Sequence, residues 1–245
     1  MERGFYTLGS GMLTQSRILT GISNNLANIA TPGYKKKEVS ATTFGKMVIN
    51  RVDTQNTPIG SMNLATVADK MDTIHSQGTL KDTQRTLDFA IKGEGFFAVQ
   101  GTNGTVYTRN GSFNVDQGGY LALDGVGRVM GQNGPIHIGT DQFTADAQGN
   151  LSVNGQTVNK IAIYNFTDYN NLQTAGEGMF TSTGGAPTLM QEPSLMWKTI
   201  EGSNVDAAEE MTNALSVQRN LQSCSQAIKM YDQIMAKAVT DIAKI

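Results

Sequence analysis

Apolar residues recur at heptad spacing along residues 5–30. Phe5, Met12, Leu19 and Leu26 occupy one row, and Leu8, Gln15, Ile22 and Ile29 the other. This predicts a helix with a single seam, broken only at Gln15, where a polar group can set register at some cost in stability. Gly4, Gly9, Gly11 and Gly21 weaken it, each by roughly 0.5–1 kcal/mol relative to Ala, so it needs a partner to fold. A second heptad runs from Val205 to Ile245. Ala207, Ala214, Leu221, Ile228, Met235 and Ile242 form one row, and Val217, Cys224, Tyr231, Ala238 and Ile245 the other. Ser203, Asn204 and Asp206 are candidate N-caps, and Asp206 with Glu209 has capping-box spacing. No Pro or Gly follows Gly202, so the helix runs on for roughly 60 Å at about 1.5 Å per residue. That length suits a coiled coil.

Between the helices the period changes. Short alternating runs (Leu87/Phe89/Ile91, Phe97/Val99, Phe113/Val115, Ile161/Ile163) are separated by turn signals. Asn-Gly occurs at Asn103–Gly104, Asn110–Gly111, Asn133–Gly134 and Asn154–Gly155, and Gly-Gly at Gly118–Gly119 and Gly184–Gly185. Both turn residues of a tight hairpin need positive φ, which Asn-Gly supplies. The pattern predicts an α+β chain in which an all-β sandwich or barrel is inserted between two heptad helices that form a coiled-coil-like stalk. The predicted parts are residues 1–32 as the N-terminal helix, 33–79 as an extended connector with local strands, 80–200 as the β-domain and 201–245 as the C-terminal helix.

Composition narrows the function classes. With 19 basic against 21 acidic residues the chain carries no nucleic-acid footprint. A single cysteine, Cys224, excludes a disulfide framework. The N-terminus is a poor secretory signal and no apolar run is long enough to span a bilayer, which by themselves suggest a soluble cytosolic protein. His75 and His137 have no ligand-type residue at metal spacing and read as structural or surface residues. Cys224 lies on a heptad row, where a thiol acts as a small hydrophobe. The GVGRVMG run at Gly125–Gly131 has its third glycine one place late and lacks the strand-to-helix context of a dinucleotide site. Gly93–Glu94–Gly95 reads as a bend that turns Phe96 and Phe97 into the β-core. Lys35–Lys37 reads as a solvated basic face, and no carboxylate pair suits acid–base work. The expectation is a non-enzyme with no cofactor, metal or small-molecule substrate.

One stretch resists these readings. ISNNLANIATPGYKKK (Ile22–Lys37) crowds three asparagines into the end of a helix, although Asn competes for backbone groups and disfavours helix interiors. Thr31–Pro32–Gly33 accounts for the stop. Ser23, Asn24, Asn25, Leu26, Ala27 and Asn28, followed by Thr31, Gly33, Tyr34 and Lys35, resemble the SNNLAN…TxG[YF]K motif of the bacterial flagellar axial proteins, the rod and hook family. Ser203, Asn204, Val205, Glu209, Glu210, Met211, Gln218, Arg219 and Tyr231 resemble that family's C-terminal helix. LDFAIKGEGFFAVQ (Leu87–Gln100), YTRNGSFNVDQGGYL (Tyr107–Leu121) and GQNGPI from Gly131 resemble its shared β-domain.

The resemblance implies a structural subunit of the flagellar basal-body rod that assembles into a helical tube transmitting torque and carrying an export channel. It implies partners in copies of itself, in neighbouring rod or hook proteins and in the flagellar type III export apparatus, with export lacking a cleaved signal and a final location in the basal body. One β-domain resembles the longer rod proteins; the opening MERGFYTLGSGM and short connector lean toward the proximal-to-middle rod type. A hook or hook-junction protein is the alternative within the class. A cell-wall glycan-binding or hydrolysing β-domain protein is the alternative outside it. Joined to the heptad rows, the resemblance nominates a subunit interface of Leu19, Ile22, Asn24, Asn25, Leu26, Asn28, Ile29, Gly33, Tyr34, Asn204, Val217, Gln218, Arg219, Leu221, Ile228, Tyr231 and Met235.

Overall fold

The computed structural model describes residues 2–50, 58–102, 104–140, 142–176 and 178–242. Asn103 and Ile245, named above in a turn and a heptad row, lie outside the described residues, as does the side chain of Ile242. The chain divides into two compact units. One comprises Met1–Ala27, Lys37–Ile74 and Asp206–Ile245; the other comprises Asn28–Lys36 and His75–Val205.

The first unit holds both long helices and a β-hairpin. Helix α1 spans Glu2–Ala27 and α2 spans Ala207–Ile242. Asp206 caps α2 by accepting from the amides of Ala208 (2.8 Å) and Glu209 (3.3 Å), which satisfies donors that the helix itself cannot. The helices pack antiparallel. Gly4 of α1 lies against the Tyr231 ring of α2, while Asn25 bonds Glu210. A Cβ at Gly4 would come within 2.6 Å of Tyr231 Oη, so this glycine is a packing choice as well as a helix weakener.

The seam rows are unevenly covered. Ile22 and Val217 are buried, and Leu19, Leu221, Ile228 and Tyr231 are half-buried. Phe5, Met12 and Met235, expected on the seam, face solvent. The pairing of α1 with α2 is plain; a regular coiled coil along the whole rows is not what the burial follows.

Residues 37–73 are more regular than the connector expected for them. Strands β1 (Lys37–Asn50) and β2 (Pro58–Thr73) pair antiparallel along their whole length, a ribbon of roughly 45–50 Å at about 3.3 Å per residue. Their period is hard to read because the register shifts between Ser40 and Ala41 and between Ile49 and Asn50. A bulge inverts which residues face which side. Helix α1 lies on this ribbon: Thr14 Oγ1 donates to Thr66 O (3.2 Å) and Arg17 Nη1 to Ala68 O (3.2 Å).

The second unit is β-rich. Its main sheet, ten-stranded among the described residues, runs Leu172–Gly176, Met179–Ser182, Gly104–Thr108, Phe96–Gly101, Gly127–Gly131, Leu121–Leu123 and Asn114–Val115, with three further strands off this path. The strand Phe96–Gly101 is buried on both faces over Phe96–Val99. Phe97 and Val99 enter a core with Phe89, Phe113, Phe143, Leu121 and Ile161, whereas Phe96 and Ala98 join Tyr107, Phe166 and Phe180. Alternate residues of a strand point to opposite faces, and each buried aromatic contributes about 1.5–3 kcal/mol.

Of the Asn-Gly pairs, Asn154–Gly155 forms a tight turn with both φ angles positive (52° and 81°) between paired Val153 and Gln156. Asn110–Gly111 does not turn a hairpin. Gly111 is there because its backbone meets that of Phe89, whose amide donates to Gly111 O at 2.9 Å, and a Cβ would overlap the Phe89 carbonyl.

Candidate functional site

The asparagines of the opening stretch find different partners. In the first unit Asn25 is 1% exposed at the end of α1. Its Oδ1 accepts from Lys37 N (3.0 Å) and its Nδ2 donates to Lys37 O (2.9 Å). The amide thus mimics a neighbouring strand and anchors the start of β1. The same Nδ2 donates to Glu210 Oε2 of α2 at 3.1 Å, and Glu210 is itself 1% exposed. One side chain ties together α1, β1 and α2. A buried polar group is tolerated only when its partners are present, so the helix cost of Asn is offset by three contacts that no apolar residue could make.

In the second unit a polar centre forms around Glu201, in the strand Thr199–Glu201. Its carboxylate side chain is fully shielded and accepts from Lys35 Nζ (2.6 Å), Gly78 N (2.9 Å) and Arg109 Nη1 (3.1 Å). Its carbonyl accepts from Gly33 N (2.8 Å). Lys35 also donates to Ser76 O (2.7 Å). Four chain segments therefore meet at one carboxylate, two of them with full charges, which makes these bonds strong for their number. Burial lowers the Lys35 pKa, opposed by the Glu201 charge and hydrogen bond, with Arg109 adding a smaller lowering. Gly33 has φ +70° and its Cα lies against the Arg109–Asn110 backbone. Asn204 extends the centre: Oδ1 accepts from Lys36 N (2.6 Å) and Nδ2 donates to Ser76 O and Oγ (3.2 and 3.0 Å).

His75 borders this centre without joining its hydrogen bonds. The imidazole lies among Tyr169, Phe180 and Phe96, with ring centroids at 5.0, 5.1 and 5.7 Å. Its Nδ1 is buried with no hydrogen-bond partner among the described residues. Burial, followed by the Lys35 and Arg109 charges, pushes its pKa down to about 4, so the ring is neutral at ordinary pH. His137 packs edge-on to Tyr120 at 4.8 Å. Cys224 is half-buried on α2. Among the described residues no three of His, Cys, Asp and Glu converge as a metal site, and no helix is long and apolar enough to cross a membrane.

The nominated interface residues thus divide. Ile22, Asn25, Asn28, Gly33, Tyr34 and Val217 are buried, and Leu19, Leu26, Ile29, Asn204, Leu221, Ile228 and Tyr231 are half-buried. Asn24, Gln218, Arg219 and Met235 are exposed. The buried ones are spent inside the chain: Asn25 on Lys37 and Glu210, Gly33 on Glu201, and Asn28 on Thr31, whose hydroxyl donates to its Oδ1 at 3.2 Å. Within the chain these bonds anchor the segment, and for Asn25 the partner Glu210 lies on the C-terminal helix α2. Lys35, read as part of a solvated basic run, is 1% exposed and belongs to the Glu201 centre. Glu201, Arg109 and Glu210 were missed as partners, since a buried charge carries no periodic signal and its counter-ions lie 92 and 166 residues away.

In sequence order the chain runs from a long helix through a β-rich insertion to a second long helix, the order that the resemblance to the rod and hook class implies. Comparison with known families agrees. Residues 5–35 match the model of the flagella basal body rod protein, 90–181 that of the flagellar hook protein FlgE/F/G D1 domain, and 198–241 that of the flagellar basal body rod FlgEFG protein C-terminal region. The flagellar basal-body rod protein FlgG of Bacillus subtilis is 32% identical over 98% of both chains. FlgG of Buchnera aphidicola from Schizaphis graminum is 30% identical over 93% of this chain and 95% of its own. The B. subtilis flagellar hook-basal body complex protein FlhO is 27% identical over the full length of both. None of these names states a position along the rod.

The chain belongs to the flagellar basal-body rod protein family. It is a structural rod subunit, located in the flagellar basal body, of a family that assembles with other rod and hook subunits.

Proposed function

We propose that this subunit polymerises with copies of itself and neighbouring rod or hook proteins into a helical tube that transmits torque and encloses an export channel. The helix pair acts as a coiled-coil-like stalk in that tube. The carrying observation is the apolar surface that α1 and α2 leave uncovered after pairing: Phe5, Tyr6, Leu13, Met211, Leu215, Ile234 and Val239 are each 46–70% exposed. Exposed apolar surface on this scale marks an interaction site, and heterologous contacts between identical subunits build open helical arrays. Asn24, Gln218, Arg219 and Met235 supply the polar and apolar contacts between subunits, while the buried members of the set hold each subunit together. The protein reaches the basal body through the flagellar type III apparatus without a cleaved signal, and no catalytic turnover is involved.

Ile234→Asp tests this reading. Ile234 is 58% exposed, so the change spares the isolated subunit's packing. The expected outcome is a folded subunit that is absent from isolated basal bodies and cells that do not swim. Normal incorporation and swimming would overturn the stalk model. Leu221→Asp and Ile228→Asp, in the half-buried seam, are expected to abolish incorporation while leaving the Trp197 fluorescence of the β-rich unit unchanged.

A further inference from the structure

The β-rich unit contains an internal duplication. FNVDQGGYLALDGVGRVMG (Phe113–Gly131) and FTADAQGNLSVNGQTVNKI (Phe143–Ile161) align without gaps, with Phe, Asp, Gly, Leu and Gly at the same places. The structure repeats with the sequence. Asp116 Oδ1 accepts from the amides two and four residues on (2.8 and 2.9 Å), and Asp146 Oδ1 does the same (3.0 and 2.8 Å). Each loop ends at a positive-φ glycine, Gly119 or Gly149, and leads to a hairpin. Phe113 and Phe143 each approach Phe89 at 6.1 Å. Equivalent residues Gly131 and Ile161 bridge one another, flanked by the reciprocal bonds Gln132 N to Lys160 O (2.9 Å) and Ala162 N to Met130 O (3.2 Å). The two copies are therefore related by a local pseudo-twofold axis.

That symmetry is broken in one respect. In the first copy the hairpin's second strand, Gly127–Gly131, has both edges occupied: one by Leu121–Leu123 and the other by Val99–Gly101 of the strand Phe96–Gly101. In the second copy the equivalent strand, Gln156–Lys160, pairs with Asn150–Val153 and ends its three-stranded sheet. Among the described residues only its last ones are covered, through the bond from Gln132. Gln156, Thr157 and Val158 are exposed, with Val158 at 44%, and none is charged. Natural edge strands are often blunted by Lys or Pro; Gln156–Val158 carries neither, and the strand's lysine, Lys160, lies at its covered end. A one-residue compensation, the shift between Leu151 and Ser152, restores the register of the first copy after a shorter turn.

We propose that the open edge at Gln156–Val158 accepts a strand from a second copy of this chain, in the way its duplicate accepts Val99–Gly101. The donor is Leu172–Thr174. It belongs to the terminal strand of the main sheet (Leu172–Gly176), which is also uncharged and exposed beyond Leu172, and it keeps regular register as far as Thr174. Main-chain hydrogen bonds supply affinity in such strand addition. Acceptor and donor are different edges of one chain, so the contact is heterologous and propagates instead of closing a dimer. This rests on the rod reading and adds to it a lateral contact made by the β-rich unit.

The test uses full-length chain in cells, with Cys224→Ser removing the native thiol. In basal bodies carrying Val158→Cys and Thr174→Cys together, oxidation is expected to give a ladder of chain multiples that collapses on reduction. Neither single-cysteine variant should give it. Incorporated subunits that stay monomeric after oxidation would overturn the proposal. Val158→Lys supplies a second measurement: loss of incorporation is expected, with Val158→Thr at wild-type level, and wild-type incorporation of Val158→Lys would overturn the strand contact. Absence of the unaltered chain from basal bodies would instead sink the rod reading itself.

Discussion

Glu201→Ala removes the one carboxylate that neutralises Lys35 and Arg109 inside the β-rich unit. All three groups are at most 4% exposed in their side chains, so water cannot replace the lost partner without opening the fold. Breaking a buried ion pair from one side costs about 3–5 kcal/mol, because the remaining charge stays desolvated. Here two cations are stranded and the Gly78 amide loses its acceptor, which places the loss at the upper end of that range. Domains of this kind have about 5–15 kcal/mol in total, so the variant approaches the unfolding threshold. Trp197 is the only tryptophan and lies in the same unit, with Nε1 bonded to Thr86 O at 2.7 Å. Urea unfolding followed by its fluorescence reads this unit directly. The triple change Lys35→Met, Arg109→Met and Glu201→Leu is expected to recover most of the loss, since it removes the stranded charges together with their partner. A loss below about 1 kcal/mol for Glu201→Ala, or a triple variant weaker than the single one, would refute the view that paired burial holds these four segments together.

Further outcomes follow from single positions. Gly33→Ala forces a side chain onto φ +70° and into the Asn110 amide, and is expected to cost at least about 2 kcal/mol by the same fluorescence assay. Gly9→Ala, with open space around its Cα, is expected to stabilise α1 by roughly 0.5–1 kcal/mol, measured by thermal melting of far-UV circular dichroism. Asp206→Ala removes the α2 cap and is expected to cost about 1 kcal/mol in the same melt. His75 has a folded pKa near 4 against an ordinary value of 6.5, so the unfolded chain binds its proton first as pH falls. Its contribution to stability is complete above pH 6.5 and lost progressively down to about pH 4. His75→Phe is expected to flatten that part of the pH–stability curve, and an unchanged curve would show the ring titrates freely.

Much of the architecture is legible from pattern. The two heptad segments become α1 and α2, and the cap at Asp206 and the tight turn at Asn154–Gly155 lie where local chemistry places them. These signals are short-range: a cap, a φ preference or an apolar period acts within a few residues. The hairpin of residues 37–73 was harder to read because bulges invert its alternation, and Asn110–Gly111 looks like a turn although close approach to Phe89 explains its glycine. The duplication, two 19-residue copies offset by 30 residues, is present in the sequence but masked by low identity; its matching Asp, Gly and Leu positions become convincing only when both loops show the same bonds.

The sequence alone determined the two long helices, the β-rich stretch between them and the family, because periodicity, capping and motif spacing are written locally. Tertiary structure decided what the asparagines and charges are for. Asn25 faces Lys37 and Glu210, Lys35 faces Glu201, and one edge of a duplicated hairpin stays open while the other is filled. These are pairings between residues far apart in the chain. The energy of a buried polar group depends on the partner that folding brings to it, and no local pattern encodes that partner.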